Sequence, residues 1–126
     1  MLASRALMVS AARTGMVDFL LAKGADANVP DVHGETALMT AAGMASTELV
    51  GALIQHGASV NVASSYGVTP LHRAAGAGQT DVVKLLLDHG AKTDGRDYEG
   101  LTPRELAAAR RHYDVVRLIN EAEAKR

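Results

Sequence analysis

Thr69-Pro70-Leu71-His72-Arg73-Ala74 reads as the opening of a short helix. A threonine hydroxyl before the first turn accepts from N–H groups that have no partner inside the helix, and a proline at the first helical position lacks an N–H that would go unpaired anyway. The same opening recurs at a fixed distance. Thr36 stands thirty-three residues before Thr69 and Thr102 thirty-three after it, with Pro103 following the last of them. Moving outward, the spacing also links Gly34, Gly67 and Gly100, then the phrases Gly24-Ala25-Asp26, Gly57-Ala58-Ser59 and Gly90-Ala91-Lys92, then Val17, Val50, Val83 and Val116. One period governs helices and turns alike. A unit of that length cannot bury its own apolar face, so neighbours must stack into a continuous core with an elongated surface, an architecture suited to binding before catalysis.

The T-P-L-H-x-A form of residues 69–74 and the period of thirty-three together resemble the ankyrin repeat family. The resemblance extends over essentially the whole chain and is closest in the third unit, through Gly67, Thr69-Pro70-Leu71-His72, Ala74-Ala75, Gly78, Val82-Val83, Leu85-Leu86-Leu87 and Gly90-Ala91. It implies an all-α solenoid of stacked helix-turn-helix units, with finger-like turns projecting at right angles to the helices. The units expected are 1–30, 31–63, 64–96 and 97–126, forming a single domain over 1–126 with no linker between them.

Within each unit the first helix is short and rich in alanine, at Leu38–Ala42 or Leu71–Ala75, which lets the next unit approach closely. The second begins near Thr47, Thr80 or Tyr113 with Glu48, Asp81 or Asp114 beside it, where the helix dipole favours an acid. Its inward face is read as Val50, Leu53 and Ile54, then Val83, Leu86 and Leu87, then Val116 and Ile119. Gly24, Gly57 and Gly90 stop these helices by turning left-handed. Thr102 and Glu105 have capping-box spacing. The ends are expected to differ. Arg104 and Asn120 replace Leu71 and Leu87 in the last unit, as in a polar cap, and the first unit is about three residues short between Ala12 and Gly24. A shortened second helix or a rearranged loop is expected there.

Composition narrows the function. Thirteen Lys and Arg face fourteen Asp and Glu, so no overall field draws the chain to nucleic acid or an anionic membrane. The segment 31–95 is mildly acidic, a weak pointer to a basic partner. Cysteine is absent, which removes disulfides, thiolate catalysis and cysteine zinc sites. No apolar run approaches the roughly 18 residues of a membrane span. Met1–Val17 carries Arg5 and Arg13 without an acid, as transit peptides do, but Leu2–Ala12 also reads as a first helix partnering Phe19-Leu20-Leu21. The expected location is the cytoplasm or nucleus, with mitochondrial targeting as the alternative.

Candidate chemistry is sparse. His56 and His89 are equivalent positions, which stacking sets about 8–10 Å apart, too far to share an ion. His72 reads as structural; the family resemblance implies that it hydrogen-bonds between adjacent turns. His33 and His112 have no ligand partner nearby in sequence. Gly90-Ala91-Lys92-Thr93 lacks the glycine that must precede lysine in a phosphate loop, and Gly76-Ala77-Gly78 follows a helix instead of a strand. Asp94, Asp97 and Glu99 lack the spacing of a calcium loop. No metal, cofactor or enzymatic activity is expected.

Positions that escape the period are free to face a partner. At the finger tips these are Val32, His33 and Glu35; Ser65, Tyr66 and Val68; Tyr98, Glu99 and Leu101. At the ends of the first helices they are Gly43 and Met44, Gly76 and Ala77, and Ala109 and Arg110, while Thr40 and Arg73 line the groove between. The resemblance implies that this concave surface contacts a partner protein, and the residues selected are Val32, His33, Glu35, Met44, Ser65, Tyr66, Val68, Arg73, Tyr98, Glu99 and Arg110. Tyr66 and Tyr98 stand out because aromatic residues are few here and tyrosine is enriched at interface hot spots, although each ring also has the option of packing along its own turn. The expected function is that of a monomeric protein interaction module. Alternatives are a small inhibitor occluding an enzyme surface, a structural segment of a longer scaffold, or an engineered binder.

Overall fold

In the computed structural model, which describes residues 21–44 and 46–126, Thr36, Thr69 and Thr102 each cap a helix. Their hydroxyls accept from the N–H groups of Met39 (3.4 Å), His72 (3.2 Å) and Glu105 (3.2 Å). The described helices are α1 (Ala37–Gly43), α2 (Thr47–Gln55), α3 (Pro70–Ala77), α4 (Thr80–Asp88), α5 (Pro103–Ala109) and α6 (Tyr113–Ala124), with no strand among the described residues. They form three helix-turn-helix pairs in two layers. Inner helices α1, α3 and α5 pack successively on one another, and outer helices α2, α4 and α6 do the same behind them. Expectations for Met1–Val17, the Leu2–Ala12 helix, Phe19 and most of the shortened first unit lie outside the described residues.

The core lies between the layers. Ala41, Ala42, Ala74, Ala75 and Ala107 are buried where inner helices meet, and Leu38, Leu71, Leu53, Leu86 and Ile119 fill the space behind them. The outer helices depart from the expected stripe: Leu49, Val82 and Val115 are fully buried, while Ile54, Leu87 and Val116 are only partly so. An outer helix packs against its own inner helix and against its outer neighbours, so its apolar face is wider than a single row and rotated by one residue.

Three fingers share one construction. Asp31, Ser64 and Asp97 each accept two backbone N–H groups with one side-chain oxygen, from residues two and four further on. Backbone bonds Asp31–Glu35, Ser64–Val68 and Asp97–Leu101 close each base. At Gly67 the constraint is double: φ is +73°, and a Cβ would lie 2.6 Å from the Arg96 carbonyl oxygen of the next finger.

Adjacent units are also tied by hydrogen bonds between their turns. The Asn28 side chain donates to the Gly57 carbonyl (2.8 Å) and accepts from Ser59 N–H (2.7 Å), and Asn61 repeats the pattern with Gly90 and Lys92. In the last pair Arg104 donates to Asn120 and forms an ion pair with Glu123, so the polar replacements for Leu71 and Leu87 satisfy each other. Gly78 ends α3 in the left-handed conformation (φ 72°), where a Cβ would meet the His112 ring at 2.8 Å. Thirty-three residues on, Arg111 takes the same conformation (φ 64°) without being glycine.

Capping gives two tests. Thr69→Ala and Thr102→Ala are each expected to cost about 1 kcal/mol in denaturant unfolding, and unchanged midpoints for both would displace the helix starts. The N–H and then the hydroxyl of Thr102 hold the Glu105 carboxyl below the ordinary 4.5 against the opposing effect of desolvation, with lesser help from Arg96 and Arg104. A lowered folded pKa stabilises above the unfolded value, and that stabilisation is lost as pH falls through the folded one. The stability gap between the parent chain and Glu105→Gln is therefore expected to be full above pH 4.5 and to close in stronger acid; a gap independent of pH would contradict this.

Candidate functional site

Because each finger precedes an inner helix, stacking the helices lines the fingers side by side and leaves a groove between finger row and helix ends. The groove encloses ≈ 630 Å³ and is lined by Gly43, Tyr66, Val68, His72, Arg73, Ala77, Asp97, Tyr98, Glu99, Leu106 and Arg110. Of the residues selected from sequence, it brings together Tyr66, Val68, Arg73, Tyr98, Glu99 and Arg110.

The other five are placed differently. Val32 and Met44 are exposed. His33 lies against Tyr66, its ring tilted by 35° at 6.1 Å between centroids. The Ser65 N–H donates to the His33 carbonyl (2.8 Å), joining two fingers. Glu35 is half-buried and ion-paired with Arg73 of the next unit, so it holds the groove wall in place and is not a free tip. Thr40, expected to line the groove, is exposed outside its lining.

The tyrosines do not pack along their own turns. Tyr66 meets Tyr98 edge-on at 5.9 Å and an interplanar angle of 68°, so His33, Tyr66 and Tyr98 form a continuous aromatic edge across three fingers. Edge-to-face contact of this kind favours the ring quadrupoles. The rings hold one another while staying open to solvent, with Tyr66 52% and Tyr98 70% exposed.

The groove floor is built by His72. Its Nε2–H donates to the Leu101 carbonyl of the next finger (2.8 Å), which leaves Nδ1 to accept from the Thr69 N–H and hydroxyl. One neutral imidazole thus completes the capping box of α3 and ties two units together, as the resemblance implied. Arg110 closes the far end, donating through Nη1 to the Gly76 carbonyl (3.1 Å). Leu106 escaped the sequence reading, although it lies thirty-three residues after Arg73 and the period would have found it.

No three His, Asp or Glu side chains among the described residues gather as metal ligands. One carboxylate oxygen of Asp97 already accepts from Glu99 and Leu101 N–H groups. No described helix is long and apolar enough to cross a membrane.

Stacked helix pairs, capped threonines and projecting fingers define a helical repeat solenoid. The family profile described as ankyrin repeats (3 copies) matches residues 7–97 and 48–125, and the chain belongs to the ankyrin repeat family. Such repeats generally serve as protein–protein interaction modules. A comparison with curated proteins returned no match to this chain.

His72→Ala would take the acceptor from the part-buried Thr69 N–H and one of two donors from the Leu101 carbonyl, which keeps the Asp97 N–H. The expected loss of stability is about 1–3 kcal/mol, measured by denaturant unfolding, and a loss below that of an exposed-site control would remove His72 from its tying role.

Proposed function

We propose that this chain is a protein interaction module, a single domain over 1–126, that docks a partner protein rigidly on its concave face. The observation that carries this reading is the exposed aromatic edge of His33, Tyr66 and Tyr98 beside an open groove, on a molecule whose periodic apolar residues are committed to the core. Tyrosine supplies large contact area at small entropic cost, and rings already held by one another lose little freedom on binding. The module acts as a monomer, in the cytoplasm or nucleus, and performs no catalysis of its own.

Periodic residues hold units together and aperiodic ones face solvent, so binding and stability should separate under mutation. Once cross-linking in native extract has supplied a partner, Tyr66→Ala is expected to weaken its binding by about 1–2 kcal/mol with little change in folding stability. Leu86→Ala, at a fully buried position, is expected to remove about 2–5 kcal/mol of stability. Calorimetry and denaturant unfolding on the same proteins measure both. Normal binding by the Tyr66 and Tyr98 variants, with loss at Lys84 or Asp88 on the outer helices, would place the partner on the opposite face.

A further inference from the structure

The finger side of the groove carries carboxylates that its cations do not use up. Arg73 is paired with Glu35, and Arg96, at the base of the last finger, with Glu105 and the Gly100 carbonyl. Those two pairs cancel, which leaves Asp97 and Glu99 in the finger wall. Asp97 is spent on its own finger, where one oxygen takes the N–H groups of Glu99 and Leu101. Glu99 is exposed, and its carboxylate forms no ion pair among the described residues. The remaining cation of the groove, Arg110, lies past the opposite end of α5, about 10 Å of helix away, and donates to the Gly76 carbonyl.

Open tyrosine faces border the same hollow. Tyr66 lies between His33 and Tyr98, whereas Tyr98 has a ring on one side only among the described residues and is the more exposed of the two. Their edge-to-face contact uses the face of one ring and the edge of the other, so faces rich in negative charge remain for a ligand. A cation over such a face is attracted by the ring quadrupole. An unpaired carboxylate alone would not single out this place. The hollow on the outer helices that holds Asp88 and Glu121 also holds Lys84, Lys125 and Arg126, and no aromatic ring. Asp114 shares its hollow with Tyr113, but with Arg111 as well. At the fingers two open rings stand beside a carboxylate whose charge is unanswered.

We infer that the finger end of the groove seats an arginine side chain of the partner protein, its guanidinium over a tyrosine face and its N–H groups on the Glu99 carboxylate. This rests on the concave-face reading and adds the partner's chemistry to it. Arginine suits the place better than lysine, because its flat, weakly hydrated cation lies on a ring while its edge donates to a carboxylate. The wall is built before the partner arrives. The rings hold each other, and the last finger is braced by Asp97 and by the His72 bond to the Leu101 carbonyl. The mild acidity of residues 31–95 agrees with a basic partner, and the finger wall supplies its point of contact.

The test uses the full chain, immobilised, to select from displayed random peptides, followed by anisotropy measurements on the enriched sequences. Enriched peptides should carry arginine and lose affinity with Tyr66→Ala. Citrulline in place of that arginine, which keeps the shape and removes the charge, should weaken binding about tenfold. Glu99→Gln should weaken it about threefold to fivefold, and less in high salt. It should leave the denaturant midpoint where it is, since the Glu99 side chain makes no ion pair in the fold. Tyr98→Phe should bind as the parent chain does and Tyr98→Leu more weakly, which separates a ring face from mere apolar bulk. Peptides that depend on Tyr66 but carry no arginine, tolerate citrulline, or ignore Glu99→Gln would overturn the inference and leave the groove reading standing. Peptides indifferent to Tyr66→Ala and Tyr98→Leu, or no enrichment, would remove both.

Discussion

Contact between alanine-rich inner helices sets most other distances in this molecule. Ala41 and Ala42 on α1, Ala74 and Ala75 on α3, and Ala107 on α5 are wholly buried. Small side chains bring neighbouring helices close, and each helix carries the finger that precedes it. The fingers therefore arrive at a separation that lets the Ser65 N–H reach the His33 carbonyl and lets the Arg96 carbonyl fit over Gly67. Ring contacts near 6 Å along the finger row follow from the same spacing. Bulkier residues at the alanine positions would move the fingers as well as the helices, so the binding surface is fixed from within the core.

The last junction is tied by different chemistry from the two before it, although the repeat is nearly constant. Asn28 and Asn61 bridge successive turns with one carboxamide each, the NH2 donating and the oxygen accepting. At their next equivalent stands Asp94, whose carboxylate has no N–H to donate, and the last junction uses Thr93 to Glu123 and Arg126 to the Ala91 carbonyl instead. Positions 39, 72 and 105 are equivalent too, yet Met39 is core, His72 spans two units, and Glu105 closes a capping box on its own helix. The groove inherits this variety. His72, Arg73 and Arg110 line it and also hold units together, so the separation of binding from stability is clean for Tyr66 and Tyr98 but not for these three.

The period, the helix starts at Thr36, Thr69 and Thr102, the Thr102–Glu105 box and the all-α repeat architecture were determined by the sequence alone. Those features depend on groups three or four residues apart, or on a pattern that repeats itself, and both are visible along a line of letters. Six of the eleven candidate site residues fall in one groove for the same reason, since aperiodic positions between periodic ones must face outward. Tertiary structure decided the rest. Whether Tyr66 would lie along its own turn or against Tyr98, whether Glu35 would be a free tip or the partner of Arg73, and which face of α2, α4 and α6 would be buried all depend on residues about a full repeat apart. The left-handed backbone at Arg111 belongs there as well: arginine has no preference for that conformation, and the turn from α5 into α6 imposes it.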